Sequence, residues 1–435
     1  MSGRSSAHGA DGSMADPCLE LWRHARDSAH AAERVTLDRA AGCLAVALAE
    51  MVVSARTPRH RAAAEALAGA PGGCTVSGLP RPADVTGAVV ANAYLMHARL
   101  TDDSFRVAAH PGLAVVPVAL AAAEHAAHRT GRGVDGPRLL RAVVGGYECA
   151  CLLAERLLPE VSRRGWRVTS VIAPLAAAAT MALVLDLPDD DACAALGLAS
   201  AATGGPLGVV STGGDGWRLQ PALAVQAGVS AVFAASAGLR SGPGALAGPH
   251  GVYSLFGDAA EAETREPVPE PAVHRVTFKR YPVAMYGQSI FDALGGQSPL
   301  SGTIDRIAVR LAPFAAGYGG QRDASTDSIS SVEGIAIAAV RAFHPDLALP
   351  PGTTVDVIGD PDLPELTARV HLALSDGRRL VLTGDGDTSG WGLADFRRRC
   401  AELLGEAGDP LCRAAGALSE GGDPARLLEL WRVAR

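Results

Sequence analysis

The chain has 435 residues, with 39 Lys+Arg against 46 Asp+Glu and a formal net charge of -7. Apolar residues make up 48% and charged residues 20%, enough to bury a sizeable core, which excludes global disorder. There is no basic tail or Lys/Arg block, so no nucleic-acid partner is expected.

In chain order, Met1–Asp16 is polar and Gly/Ser-rich, without the apolar core of a signal peptide, and predicts a disordered tail. Residues 17–268 carry Ala, Leu and Val at helical spacing, as in Leu37–Glu50, and predict an all-helical domain. Further helices are predicted over Ala114–His128, Gly136–Leu158, Ser170–Leu185, Asp189–Ala201 and Gln220–Ala237. They are broken at Gly131/Gly133, Pro159, Pro188 and Gly238. The apolar run Val171–Leu187 is shorter than the roughly 20 residues a bilayer needs. The longer Leu219–Leu239 contains Gln220 and Gln226. Both predict buried helices, so no membrane partner is expected.

The Pro-rich stretch Glu266–Pro271 predicts a linker. Residues 269–392 then change texture. Thr303–Leu311 alternates like a half-buried strand, and Ser328–Phe343 has helical spacing. Leu366–Leu374 and Arg378–Thr383 flank the turn Ser375-Asp-Gly377, which predicts a hairpin in a smaller α+β domain. Residues 393–435 are helical again. None of the eight cysteines forms CxxC or pairs with histidine at zinc spacing, so buried, reduced thiols in a cytoplasmic protein are expected.

Three segments concentrate polar chemistry. Ala91–Gly112 holds His97, Asp102, Asp103, Ser104 and His110 at a helix end followed by a loop. Paired carboxylates beside a histidine can do acid–base work, because their surroundings can push the pKa values apart. The same residues also serve as helix caps and core fillers. Thr277–Gln288 carries Lys279, Arg280 and Gln288 where the chain enters the smaller domain, and ligands often bind between domains. Lys279 is the only lysine, beside 38 arginines, and an ammonium is a compact charge whose pKa can be lowered. Thr203–Arg218 is Gly-rich but fits no phosphate-loop pattern; its Trp217 and Arg218 either face a ligand or anchor the loop.

In this order the segments resemble the MmgE/PrpD family, which includes 2-methylcitrate dehydratase, cis-aconitate decarboxylase and iminodisuccinate epimerase. The resemblance is carried by Asn92–Glu124, Arg164-Gly-Trp-Arg167, Ser241-Gly-Pro243 with Gly251–Phe256, and Phe278-Lys-Arg-Tyr-Pro282. It implies a mainly α fold: a large helical domain built from both chain ends and a smaller α+β lid. It also implies a homodimer and chemistry on small carboxylic acids without metal or organic cofactor. On this resemblance His110 and Lys279 are the catalytic pair and Asp102 and Asp103 the aspartate pair, with Ser104 where threonine is usual. Arg167, Trp217, Arg218, Arg280 and Gln288 are candidate substrate contacts.

The departures point one way. Leu100 replaces an aspartate, Arg167 a histidine, Trp217 a lysine, Gln288 a histidine and Ser331 a tyrosine of the family pattern. Imidazole and lysine, which exchange protons near neutral pH, give way to Arg167, Trp217 and Gln288, which do not. The resemblance therefore implies a dehydratase for a small or pathway-specific β-hydroxy acid. Decarboxylation, isomerisation or epimerisation on the same scaffold, and a degenerate binding protein, remain the alternatives.

Overall fold

The computed structural model describes residues 16–211, 214–320 and 329–434. Residues 1–15 of the expected Met1–Asp16 tail and the helix start at Ser328 lie outside the described residues. The protein is mainly α, with a small sheet.

Helix α1 (Pro17–Ala31) starts where the Asp16 carboxylate accepts from the Cys18 N–H at 2.9 Å, with proline at its first position. It is followed by α2 (Arg34–Ala55), α3 (Pro58–Leu67), the short strand β1 (Pro71–Cys74), α4 (Val85–His97), α5 (Gly112–Thr130) and α6 (Gly136–Leu157). The single turn α7 (Glu160–Arg163) leads to α8 (Val168–Leu185), α9 (Asp189–Ser200), α10 (Gly208–Ser211) and α11 (Gly216–Ser236). Asp84 and Asp135 cap α4 and α6. Small residues let these helices approach closely: a side chain at Gly228 of α11 would strike the Pro174 carbonyl of α8.

By length and composition, α8 and α11 could each cross a membrane, and α2 with α3 could do so as a pair bent by 106°. Within the protein, 89% of the apolar window of α8 and 50% of that of α11 is buried. The apolarity of α8 is thus spent on its own neighbours, chiefly α5, α6, α9 and α11.

Short helices α12 (Val252–Phe256), α13 (Ala259–Thr264) and α14 (Ala272–Arg275) lead to α15 (Met285–Gly295). Strand β2 (Gly302–Leu311) is followed by α16 (Pro313–Gly320), α17 (Val332–Phe343), β3 (Leu347–Ala348), β4 (Val355–Gly359), β5 (Thr367–Leu374) and β6 (Arg379–Asp385). β5 and β6 form the hairpin expected from Ser375-Asp-Gly377, and Gly377 supplies the positive φ of 91°. β2 lies antiparallel to β5 and parallel to β3 and β4. Its buried Ile307 and Val309 pair with Leu372 and Val370 under α15 and α17. Helices α18 (Leu393–Leu404), α19 (Gly408–Ala417) and α20 (Pro424–Val433) close the chain, and α18 and α19 pack on α2. The Glu124 carboxylate on α5 ties Arg432 of α20 (2.6 Å) to the Thr75 hydroxyl (2.6 Å). All eight cysteines are free, and all but Cys193 are buried.

Candidate active site

The site starts where α4 stops. Leu100, with φ 57°, turns the chain out of the helix, and its N–H closes on the His97 carbonyl at 3.0 Å. Thr101 donates to the buried Glu50, which Arg399 of α18 holds at 3.0 Å. Ser104 and Thr277 exchange two backbone hydrogen bonds of 2.8 Å each. That bridge lays residues 102–104 beside Lys279, although 173 positions separate Ser104 from Thr277.

The result is a buried polar cluster. Lys279 Nζ donates to the Asp102 carbonyl at 2.6 Å and to its Oδ1 at 3.1 Å. Asp102 Oδ2 lies 2.8 Å from His97 Nδ1 and 3.4 Å from His110 Nδ1. Arg167 Nη2 lies 2.6 Å from His97 Nε2, and its Nη1 donates to the Trp217 carbonyl. A guanidinium can only donate, so His97 Nε2 presents its lone pair and Nδ1 carries the proton toward Asp102. His110 Nδ1 is 3.0 Å from the Asp103 carbonyl, which can only accept. The Lys279 ammonium, which can only donate, lies farther from the same nitrogen at 3.4 Å, so the nearer carbonyl places the proton on Nδ1 and leaves Nε2 as the basic nitrogen. Ser104 Oγ sits 3.3 Å from the same Nδ1.

Charge in the cluster is set by burial and neighbours. Burial lowers His97 to about 4, against the opposing pull of Asp102. Burial likewise holds His110 well below the ordinary imidazole value. Burial alone would raise Asp102, but Lys279, His97 and His110 outweigh it and keep the carboxyl well below the usual range. Asp103 behaves oppositely: burial and the adjacent Asp102 push it up to about 7, against the hydrogen bond from Tyr147. Its Oδ2 accepts from Tyr147 at 2.6 Å and its Oδ1 from the Gly112 N–H, at the start of α5, at 3.1 Å. Any side chain at Gly112 would fall on the Asp103 carboxylate and the Tyr147 hydroxyl.

His97, Asp102 and His110 offer ligand atoms within 4.8 Å of one another, a spacing that metal ligands use. Here Lys279 and Arg167 already compensate that donor set, occupying Asp102 Oδ1 and His97 Nε2. The residues present therefore fit fixed protein cations better than a bound metal ion.

A cavity opens against this cluster, at the junction of the helical half with α15 and α16. Among the described residues it is lined by His110, Arg167, Trp217 and a wall of apolar groups, with Tyr286, Tyr318 and Ser330 opposite. Of the residues singled out from sequence, Leu100, His110, Arg167 and Trp217 reach the cavity. Asp102, Asp103, Ser104 and Lys279 stand directly behind its wall, buried, and act on His110.

Three others point elsewhere. Arg218 donates to the Ala98 carbonyl at 2.8 Å, pairs with Asp215 and stacks 4.0 Å from the Trp217 ring centroid. Arg280 pairs with Asp292 at 3.1 Å and donates to the Asp385 carbonyl at 2.7 Å. The Gln288 amide bonds the backbone of residues 280, 281 and 283, so it shapes the turn before α15 instead of facing the cavity. Ser331 Oγ caps α17 through the Gly334 N–H at 2.9 Å.

The family model for the MmgE/PrpD N-terminal domain matches residues 21–265, more than half of the chain. The chain belongs to the MmgE/PrpD family. Among curated proteins, none matches it. The family includes lyases such as 2-methylcitrate dehydratase. The resemblances drawn from Asn92–Glu124 and Arg164–Arg167 fall inside the matched span, whereas Lys279 lies beyond it. Against the MmgE/PrpD pattern, the arginine at position 167 now has a physical reading: it binds His97 and borders the cavity at once. Asn92, also in the motif, is a brace, with its amide bonded to the backbone of Thr75 and Ser77.

Reading the sequence alone missed Tyr147, Tyr286 and Tyr318. Tyr147 carried a signal, being a lone hydroxyl in the apolar helix α6. Tyr286 and Tyr318 sit in helices α15 and α16, which were not expected.

Proposed function

We propose that the protein is a lyase that removes water from a small β-hydroxy carboxylic acid using only its own side chains. The observation that carries this reading is His110, a neutral imidazole at the cavity wall whose Nδ1–H is held by the Asp103 carbonyl. Its Nε2 takes a proton from the carbon next to the substrate carboxylate. The electron pair left behind spreads into that carboxylate, where Arg167 stabilises the developing charge. The pair then forms the double bond as the carbon–oxygen bond at the β-position breaks. The departing hydroxide takes the proton from His110 and leaves as water, so His110 ends neutral.

Asp102 Oδ2, 3.4 Å from His110 Nδ1, stabilises the imidazolium while it exists. Lys279 keeps Asp102 ionised and fixed. Purified protein incubated with a panel of 3-hydroxy acids should yield alkenoic acids with the mass of lost water. Loss of CO2, or an unchanged mass with inverted stereochemistry, would instead establish a decarboxylase or an epimerase. A His110→Ala variant as active as the parent would sink the assignment of the base.

A further inference from the structure

We propose that Cys18 and Cys193 are a redox pair whose disulfide staples helix α1 to helix α9, with a peroxide as the oxidant. The pair lies apart from the cavity, and its chemistry is independent of the reaction proposed there. The seam between the two helices sets the register. On α1, Cys18, Trp22 and Arg26 fall four residues apart and share one face. On α9, Asp189, Cys193 and Gly197 do the same. The Trp22 indole donates to Asp189 Oδ1 at 2.8 Å, and Arg26 Nη1 donates to Asp189 Oδ2 at 2.6 Å. At the other end, a methyl group on Gly197 would lie 3.7 Å from Cys18 Sγ. The helices therefore run antiparallel, and Cys18 stands over the turn of α9 that begins at Cys193.

Two further contacts close the pair. Asp16 Oδ1 accepts from the Cys18 N–H at 2.9 Å, while its Oδ2 accepts from the Cys193 thiol at 3.5 Å. One carboxylate thus holds both cysteines together at the start of α1. The two side chains also hydrogen-bond each other. Thiols already in contact can reach the bonded distance of about 2 Å by side-chain rotation. Cys193 is the only one of the eight cysteines that is not buried, whereas Cys18 is 4% exposed. An oxidant therefore meets Cys193 first.

The Cys193 sulfur attacks the peroxide: a sulfur–oxygen bond forms, the oxygen–oxygen bond breaks, and water leaves a sulfenic acid behind. The Cys18 sulfur then attacks the Cys193 sulfur. The disulfide forms, the sulfur–oxygen bond breaks, and the departing hydroxide leaves as water with the Cys18 proton. The two thiols together lose two electrons and two protons, and one peroxide becomes two waters. The link closes a long loop of the unfolded chain, which favours the folded state.

The test is oxidation of the full, folded chain with hydrogen peroxide, then alkylation in denaturant and peptide mapping without reduction. The Cys18 and Cys193 peptides should be joined, about 2 Da lighter than the sum of the reduced pair, and dithiothreitol should separate them. The oxidised protein should melt at least about 2 °C above the reduced one. Cys193→Ser should abolish the link and the shift while melting like the reduced parent. If that variant does not fold, the mapping and melting of the parent decide alone. Cys193 recovered as a sulfinic or sulfonic acid beside an alkylated Cys18 would overturn the pair. So would a disulfide confined to Cys400 and Cys412, a link between two chains, or a linked protein that melts no higher than the reduced one.

Discussion

Arg167 donates to His97 Nε2 at 2.6 Å, so a guanidinium fixes which nitrogen of a buried imidazole carries its proton. That proton then lies toward Asp102, the carboxylate shared by His97, His110 and Lys279. Asp102 thus collects the Lys279 ammonium and two neutral rings, and the ring next to the cavity is His110. The cluster is connected from the cavity wall to the core, so changes at single positions should have separable effects.

Replacing Arg167 by Gln removes a charge-assisted contact to substrate while retaining an amide donor for His97. A charged hydrogen bond contributes about 1.5–3 kcal/mol, so KM should rise roughly 10- to 150-fold. kcat should fall as well, because Arg167 also stabilises the charge that develops during proton removal. Steady-state kinetics checks this, and an unaltered KM would remove Arg167 from substrate binding.

His110→Asn should lower kcat by about 10²- to 10⁴-fold, the span typical for loss of a general base. Its melting temperature should stay close to that of the parent, because the ring sits at the cavity edge. A variant that lost activity only by unfolding would show it in the far-UV circular dichroism.

Lys279 is a different case, because its ammonium is completely buried and bonded to Asp102. Lys279→Met strands a buried carboxylate, which costs about 3–5 kcal/mol. The double variant Lys279→Met/Asp102→Asn removes the stranded charge and should regain much of that stability. Lys279→Arg must fit a larger fork into a filled space and should also destabilise, by about 1–3 kcal/mol. Chemical denaturation of the parent, Lys279→Met, Asp102→Asn and the double variant forms a thermodynamic cycle. If Lys279→Met melted like the parent, the ion pair would be a minor feature.

The contrast between His110 and Lys279 shows what could be read in advance. The segment from His97 to Gly112 is contiguous, so its polar cluster was legible as a helix end and loop. The strand alternation of β2 and the turn at Gly377 were legible for the same local reason. What was not legible is distant pairing. Arg167 meets His97 across 70 positions, and Tyr147 meets Asp103 across 44. Helix α15 was missed because its first turns carry Gln288, a polar group that drew attention as a ligand contact and instead satisfies the backbone before the helix. The short strand β4 escaped because five residues beside a Pro-Gly turn give little periodicity. Arg280 pointed toward function by its neighbours in sequence, whereas its partners Asp292 and Asp385 lie farther along the chain.

Gly112 tests how closely the loop is built. A methyl group there would collide with the Asp103 carboxylate and the Tyr147 hydroxyl. Gly112→Ala should therefore cost about 1–3 kcal/mol through overpacking and shift the loop that carries His110. The expected signature is a lower melting temperature together with reduced kcat. Tyr147→Phe, which removes the hydroxyl from that crowded point, should ease the strain when combined with Gly112→Ala. Strictly additive effects would count against direct contact.

Asp103 gives the last prediction, in stability against pH. Its folded pKa is about 7, above the ordinary 3.8, because burial and Asp102 disfavour its charge. A group raised on folding stabilises most below its unfolded value, and that contribution is lost as pH rises through the folded value. Asp103 therefore lowers stability progressively between about pH 4 and 7, by an amount on the order of several kcal/mol at full ionisation. His97 and His110 act in the opposite sense. Their folded values are depressed, so they lower stability as pH falls below the ordinary imidazole value of 6.5. The parent should thus lose stability on the acid side, with Asp103 blunting the slope. Asp103→Asn removes the blunting group and keeps an acceptor for the Gly112 N–H. The stability of the variant minus that of the parent should climb from about pH 4 to 7 and level off above. Melting curves across that range provide the measurement, and a difference that stays flat would mean that Asp103 does not titrate in the folded protein.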